Sequence, residues 1–562
     1  MRKLNFQKIR EVIKMSKKKM SMGNDGIKDK YGEELPVLSK HASILEYEKL
    51  LDVKPPDFSK RTPGSPFWTR MAYFVTQQSI NLQFQSFEIS GKEKMGKDRG
   101  VLTVCWHTNG IMDVMPIIHH HPNYLVVGGR HDLVNHSILG FWARRLAVQP
   151  VVRQAELIRG GCSEEEAKYL NGRSLLRLSK GISSGFGGIL MPEGTSHQNS
   201  HLIRLKTGPA RVLTSAATIA NFEGKLKPQI IPVGMHFRKR HLFRTDLWIE
   251  CCDPIDYNLS EELLDMGSKY VKEEWIEPPA EDVYHVRDLL KENLDKITPG
   301  AVNWETYRGW RLLAHLKSRM ENNTELTWRE EVERAREWRE LTEESMGTYE
   351  EQKEVGPRES KHTVLFSQAA EAAKILDEKN LDGRIIDKHG HLSKISPQKI
   401  FKSIPGTILG IILFPFLLFS SGVILALCYY LGNVTDEGED ARTSVHFVGF
   451  ITTPLIIWPF MAALSVFLLA VLFGIRPAIT GLEQITIFQS VPFYLLIWAL
   501  MFPLFWLINV ISFTFCFDSI NNIYTEIKIN NLNKSPSGKK LNDLLTSLNL
   551  EIKELSKQSG HN

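Results

Sequence analysis

The sequence lacks the cysteine patterns that mark metal sites and disulfide frameworks. Its 562 residues include six cysteines, with no CxxC pair and no Cys/His spacing typical of zinc ligands. We therefore expect reduced, inert thiols and no metal. The basic N-terminus, MRKLNFQKIREVIKMSKKKM, lacks the apolar core of a secretory signal. This absence predicts that the first domain stays in the cytoplasm.

The chain also lacks a strong excess of charge. Lys and Arg number 69 against 64 Asp and Glu, which gives a net charge of +5. The basic residues are not interleaved with aromatic residues along an evident groove, so nucleic acid is not an expected partner. Hydrophobic residues make up 43% of the chain, enough for two or more structural units.

Charged side chains are absent from three long segments of the C-terminal third: Ser403 to Gly432, His446 to Ile475 and Gln484 to Phe517. Each exceeds the ~20 apolar residues that cross a bilayer, which predicts a membrane domain over 403–517 with about three spans. Lysines precede the first segment and the acidic loop VTDEGED follows it, so residues before 403 are expected in the cytoplasm. Three spans would place the tail, 518–562, outside, whereas a re-entrant hairpin would return it inside.

The remaining chain divides into three regions. A basic arm covers 1–65. From 66 to 260, short β-rich runs alternate with helix-like stretches, which predicts an α/β domain. Residues 261–402 are mostly helical and highly charged, as expected of solvated helix faces. The segment WTRMAYFVTQQSINLQFQ could lie along a membrane interface or cover the α/β core.

The first group of reactive residues lies in CWHTNGIMDV, where His107 follows a β-rich run. Strand ends are where α/β proteins present functional groups. If Thr108 to Gly110 form a tight turn, Asp113 can fold back onto the imidazole. Imidazole is well matched to removing a hydroxyl proton near neutral pH, and a carboxylate would hold its tautomer. This pattern indicates a general base and its orienting acid.

The second group lies in LMPEGTSHQNSHLIRLKTGPARVL, where an apolar run ends in a Pro-Glu-Gly turn. Gly194 permits close backbone approach, and Lys206 and Arg211 precede a helix-like stretch, an arrangement that suits a phosphate ester. Ordinary turn chemistry would also explain these residues.

Taken together, the motifs from about Phe67 to Pro254 resemble the glycerolipid acyltransferase superfamily, the phosphate acyltransferases of phospholipid synthesis. Four blocks appear in the family's order. The first contains the dyad of His107 and Asp113, and the second, GGRHDLVNHSILGFWARRLAVQPVVRQ, ends near Arg153. The third is MPEGTSHQNSHLIRLKTG, and the fourth is IIPVGM.

The chain departs from the family's pattern in two places. Five residues separate His107 from Asp113 where four are commoner, and the longer spacing resembles the glycerol-3-phosphate and dihydroxyacetone-phosphate acyltransferases that carry C-terminal membrane spans. The third block has Ser196 and His197 where an arginine often follows Glu-Gly-Thr, and Arg204 where proline is expected. The cation that holds an acceptor phosphate is therefore not identified by the motif.

The resemblance implies a mixed sheet flanked by helices, followed by the helical region and the α-helical membrane domain. It also implies direct transfer of an acyl group from acyl-CoA or acyl-carrier protein to glycerol 3-phosphate or dihydroxyacetone phosphate, without a cofactor or metal. His107 would act as base with Asp113. The substrate-binding residues implied are Arg153, Glu193, Gly194, Thr195, Ser196 and Lys206. The alternatives are acylation of lysophosphatidate and an inactive membrane scaffold.

Two other motifs indicate different chemistry but lack its context. GISSG resembles the nucleophile elbow of serine hydrolases, with Ser183 as nucleophile, but a helix-like stretch precedes it and a strand-like run follows. A nucleophile elbow needs a strand before the serine and a helix after it. Three consecutive histidines, 119 to 121, have no spaced partner for a metal.

Overall fold

The computed structural model describes residues 42–136, 139–322, 325–434, 439–472 and 506–559, with short pieces at 17–19, 27–29, 32, 35, 38, 496, 498–499 and 502–504. Much of the predicted basic arm lies outside these ranges. So do residues 484–495 of the third apolar segment and 435–438 of the acidic loop.

A seven-stranded mixed sheet forms the centre of the α/β domain. Its strands are β3 (Phe84–Ser90), β4 (Val101–Cys105), β5 (Leu125–Arg130), β6 (Gln149–Val151), β7 (Gly187–Leu190), β8 (Gln229–Phe237) and β9 (Thr245–Cys251). They are ordered β3-β9-β8-β4-β7-β5-β6. Strands β4 to β8 are parallel, and β9 is antiparallel to β8. The carboxyl ends of five strands therefore meet at one edge. A separate pair joins β1 (Lys17–Lys19) to β2 (Ile44–Glu46).

Helices flank this sheet, as the sequence predicts. They are α1 (Tyr47–Leu51), α2 (Pro66–Gln83), α3 (Ile111–His120), α4 (His131–Asn135), α5 (Leu139–Arg145), α6 (Gln154–Ile158), α7 (Glu164–Ser183) and α8 (Gly208–Phe222). Helix α7 contacts β5, β6 and β7, and α8 packs beside α7. Strand β4 is wholly buried because helices and neighbouring strands enclose it, as its VLTVC sequence requires.

The charged region after β9 is helical, as predicted. Its helices are α9 (Glu261–Asp265), α10 (Gly267–Val271), α11 (Ala280–Ile297), α12 (Trp304–Asn322), α13 (Trp328–Met346), α14 (Tyr349–Glu354) and α15 (Thr363–Glu378). Helices α12 and α15 pair closely within a second hydrophobic core. That core also includes Leu541, Leu545 and Leu548 from the tail, so the tail packs against the charged region.

The C-terminal apolar segments are helical wherever the structure describes them. Three helices cover the first two segments: α16 (Pro397–Phe419), α17 (Ser421–Val434) and α18 (Glu439–Leu472). The tail after the third segment forms α19 (Phe517–Asn533) and α20 (Pro536–Ser559). Among the residues described, one helix, Phe502–Asn533, is long and apolar enough by length and composition to cross a membrane. Phe243, from the loop after β8, packs into the cluster formed by these helices.

A buried ionic cluster fastens the helical region to the sheet. Glu331 of α13 accepts hydrogen bonds from Arg238, just beyond β8, and from Nε of Arg311 on α12 at 2.7 Å. Arg238 also donates to Asp246 at 2.6 Å. Burial acts to raise the pKa of Glu331, but the two arginines outweigh it and hold the pKa far below its ordinary range. The carboxylate is therefore charged at neutral pH.

Replacing Glu331 with alanine should strongly destabilise the protein. The substitution leaves the buried Arg311 without its carboxylate partner and removes one of the partners of Arg238; breaking a buried ion pair in this way costs about 3–5 kcal/mol in comparable sites. We expect the midpoint of thermal unfolding in detergent to fall by several degrees. Glu333→Ala, which removes an exposed partner of Arg329 on the same helix, should change the midpoint little. Equal midpoints for the two variants would contradict this role for Glu331.

Candidate active site

His107 and Asp113 form a hydrogen-bonded pair at the carboxyl edge of the sheet. Nδ1 of His107 lies 2.9 Å from Oδ2 of Asp113. The same oxygen accepts the backbone N–H groups of Thr108 at 2.8 Å and Asn109 at 2.7 Å. Asp113 is fully buried, whereas the side chain of His107 is 18% exposed. The carboxylate thus holds the imidazole with its outer edge open to a substrate.

The turn between strand and helix produces this geometry. β4 ends at Cys105, and Gly110 adopts φ +58° just before α3 begins at Ile111. Glycine is favoured there because a side chain disfavours positive φ. Asp113 then occupies the first helical turn, where free N–H groups and the helix dipole stabilise a carboxylate. The predicted tight turn and fold-back are confirmed.

Glu193 joins the second motif to the first. Its Oε2 accepts the backbone N–H of His107 at 2.6 Å, and its Oε1 lies 2.7 Å from Nε2 of His197 and 3.1 Å from the N–H of Ile203. The carboxylate is fully buried. Glu193 therefore aligns the backbone on both sides of the site.

The other third-motif residues follow this carboxylate. Gly194 adopts φ +73°, and a Cβ there would come within 3.3 Å of the Lys206 side chain. Thr195 and Ser196 continue the same loop, with the Thr195 hydroxyl 3.3 Å from the Ser196 carbonyl. Lys206 donates its N–H to Pro192, and its Nζ lies 3.9 Å from buried Asp29, which also accepts from Arg204 at 2.9 Å. Asp29 thus faces both third-motif cations.

Arg153 stands apart from this group. It precedes α6 just beyond β6, the outermost strand, three positions along the sheet from β4. At ~4.8 Å per strand this places it on the order of 14 Å across the sheet from the dyad's strand. Its guanidinium donates to Glu156, with Nε 2.7 Å from Oε1. The phosphate role that the resemblance implies for Arg153 stays a prediction.

Sequence reasoning missed the residues that hold the turn from outside. The Thr443 hydroxyl of α18 donates to Oδ1 of Asn109 at 2.5 Å. The Ser444 hydroxyl accepts the N–H of Ile111 at 3.0 Å. Asn109 in turn donates to the carbonyl of Arg240 at 3.1 Å. No local signal marks the two hydroxyls, because their partner is more than 330 residues away in the sequence.

Arg240 was also missed, although the basic run RKR directly after β8 could have indicated it. Its NH1 lies 3.4 Å from the carbonyl of Thr108 and 3.3 Å from that of His197. The guanidinium lies over the Trp304 ring at 5.1 Å. Arg240 thus places a positive charge next to the pair of His107 and Asp113.

The two alternative motifs gain no support from the structure. The Ser183 hydroxyl donates to the carbonyl of Lys180 at the end of α7. His119 lies against Thr76, while His120 and His121 each contact a nearby carbonyl. Within the described part of the chain, no group of three His, Cys, Asp or Glu side chains is arranged to hold a metal.

A histidine held by a buried carboxylate, with its outer edge accessible, defines a site for general-base activation of a nucleophile. Residues 86–236 match the Acyltransferase family. This stretch runs from β3 to β8 and contains His107, Asp113, Glu193 and Lys206. The match supports an acyltransferase domain in this part of the chain.

Comparison with curated proteins gave no match. Among solved structures, the chain is similar to the 1-acyl-sn-glycerophosphate (LPA) acyltransferase PlsC from Thermotoga maritima, with 17% identity over 36% of this chain and 77% of that chain. The TM-score is 0.25, which supports no further argument.

Replacing Thr443 with valine should lower the catalytic rate without removing a reacting group. The change leaves the buried Asn109 amide oxygen without its hydroxyl donor, a loss of roughly 1–1.5 kcal/mol. We expect acyl-transfer kcat to fall about tenfold at unchanged KM values.

Thr407→Val is the matched control, because the Thr407 hydroxyl bonds only within α16, to Ser403. The control should retain full activity. A Thr443→Val enzyme with unchanged kcat would show that α18 does not position the turn.

Proposed function

We propose that this protein is a membrane-bound acyltransferase that transfers a fatty acyl group from acyl-CoA or acyl-carrier protein to glycerol 3-phosphate or dihydroxyacetone phosphate. The observation that carries the proposal is the contact of His107 with Asp113, whose Oδ2 accepts three hydrogen bonds. The five-residue spacing within this dyad resembles that of the glycerol-3-phosphate and dihydroxyacetone-phosphate acyltransferases, and this resemblance supports the small acceptors over lysophosphatidate.

The reaction follows from the tautomer that Asp113 imposes. An ionised carboxylate accepts a hydrogen bond from Nδ1–H, so Nε2 is the nitrogen that can take the acceptor's hydroxyl proton. The hydroxyl oxygen attacks the thioester carbonyl as this proton moves. The carbon–sulfur bond then breaks, and the imidazolium returns the proton to the departing thiolate. The products are an ester and a free thiol, and no acyl-enzyme is formed.

Glu193 supports this step by holding the backbone of His107. Its bond to the His107 N–H holds the residue that carries the base, while its contacts with His197 and Ile203 hold the facing loop. Pre-aligned groups lower the barrier because they need no rearrangement during reaction.

His107→Ala should abolish transfer, and Asp113→Asn should lower kcat by at least about a hundredfold, the usual scale for loss of general-base catalysis. The assay uses purified, detergent-solubilised protein and a long-chain acyl thioester, with glycerol 3-phosphate, dihydroxyacetone phosphate and lysophosphatidate in parallel. Unchanged elution and thermal unfolding of the variants would show that they are folded.

Each outcome has a distinct meaning. Turnover of a small acceptor, lost in His107→Ala, supports the proposal, and turnover of lysophosphatidate alone moves the activity to the second acylation. Activity retained by His107→Ala would exclude the proposed base. Inactivity with all three acceptors would favour the scaffold alternative.

We further propose that 403–517 lies in the membrane and that the catalytic domain faces the cytoplasm. Apolar side chains on α16 are exposed, including Ile411 at 67% and Ile412 at 68%, and Phe67 and Phe74 of α2 are exposed as well. Exposed apolar surface on this scale favours burial in lipid. The tail shares a core with the charged region, which favours an even number of crossings or a re-entrant hairpin.

A C-terminal epitope should therefore be cleavable by protease on the same membrane face as the catalytic domain. The protein should also stay with the membrane after alkaline extraction. Protection of the epitope under conditions that digest the catalytic domain would rule out this topology.

A further inference from the structure

A cavity of about 270 Å³ lies beside the dyad, between the loop after β8 and helices α12 and α15. Trp106 and Thr108, the two neighbours of His107, form part of its wall, together with Gln198. Sites for drug-sized ligands measure about 300–1,000 Å³. This cavity therefore suits a small molecule better than a lipid with its acyl chain.

The charged side chains of the cavity lining comprise five cations and four carboxylates: Arg238, Lys239, Arg240, Arg308 and Arg311 against Glu305, Glu331, Asp377 and Asp382. Asp382 is also paired with Arg384, which lies outside the lining. Arg238 and Arg311 are committed to the buried carboxylate of Glu331. Lys239 and Arg308, by contrast, share the single carboxylate of Asp377, at 3.4 Å and 3.2 Å. Two cations on one half-buried carboxylate leave positive charge available to an incoming anion.

Lys239 is the more buried of this second pair, with a side chain 12% exposed against 30% for Arg308. Burial lowers the pKa of Lys239, although Asp377 and Asp382 act in the opposite direction. A second anion would stabilise the ammonium form further. Arg240, which also lines the cavity, places a guanidinium within 3.4 Å of the Thr108 carbonyl, at the side nearest the dyad.

We propose that this cavity binds the acceptor's phosphate, with Lys239 and Arg308 as its counter-charges and Arg240 between the phosphate and the dyad. The inference rests on the proposed function and narrows the acceptor to a small phosphorylated polyol. A phosphate monoester carries about −1.5 to −2 charge at neutral pH, which suits this group of cations. By contrast, Arg153 is engaged by Glu156. Arg204 and Lys206 also share one carboxylate, that of Asp29, but they do not line this cavity.

The test measures steady-state kinetics of the full-length protein in detergent, with glycerol 3-phosphate and a long-chain acyl-CoA. Lys239→Met and Arg308→Gln should each raise the KM for glycerol 3-phosphate about tenfold or more, as expected when a charged hydrogen bond is lost. The KM for the donor should stay within about twofold. Arg308→Lys should recover part of the affinity.

Arg334→Gln is the matched control. The Arg334 side chain is 29% exposed and lies 3.3 Å from Glu321, which is close to the exposure of Arg308 and its distance from Asp377. Arg334 does not line the cavity. This variant should leave both KM values unchanged. Arg153→Gln and Lys206→Met test the residues that the family resemblance implies for the phosphate. A large rise in acceptor KM in these two variants, with none in Lys239→Met, would overturn the proposal.

A rise in donor KM instead would assign the cavity to the thioester and also overturn the proposal. Inorganic phosphate provides a readout without turnover: it should raise the thermal midpoint of the wild-type protein and of His107→Ala, but not of Lys239→Met. Phosphate protection that survives in Lys239→Met and Arg308→Gln would exclude the cavity. Failure of the proposed function would be seen in a different variant: His107→Ala would then retain acyl-transfer activity, whatever the KM values of the cavity variants.

Discussion

The candidate site depends on one buried carboxylate oxygen. Oδ2 of Asp113 accepts the imidazole of His107 and two backbone N–H groups of the turn that separates them. A charged acceptor with several donors is strongly stabilised when buried, and costly if any donor is withdrawn. The strand end, the turn and the first turn of α3 are therefore held as a unit around this oxygen, and the imidazole of His107 is held in one orientation without any bound ligand.

The surroundings of this unit come from distant parts of the chain. Glu193 holds the His107 backbone from the β7 side, while Thr443 and Ser444 hold Asn109 and Ile111 from α18. Helix α18 belongs to the apolar C-terminal region that we place in the membrane. The same contacts that hold the turn thus connect it to this apolar region.

The charged helical region has two physical roles. Its buried carboxylate, Glu331, locks α13 onto the end of β8 through Arg238. Its α12 and α15 then complete a cavity next to the dyad that the α/β domain alone does not enclose. A region predicted only as solvated helices therefore contributes Arg308 and Asp377 to the neighbourhood of the site.

Much was determined by the sequence alone, because it rests on local patterns. Alternating β-rich and helix-like runs predicted the α/β domain, and the His107 to Asp113 spacing with an intervening glycine predicted the fold-back, since turn, helix start and carboxylate lie within seven residues. The acyltransferase resemblance follows from motifs of the same local kind. Only the tertiary structure decided which cations lie near His107, that the tail packs on the charged region, and that α18 hydroxyls hold the turn between His107 and Asp113. These contacts join residues up to 335 positions apart, and such pairings depend on how the whole chain packs, which no local pattern specifies.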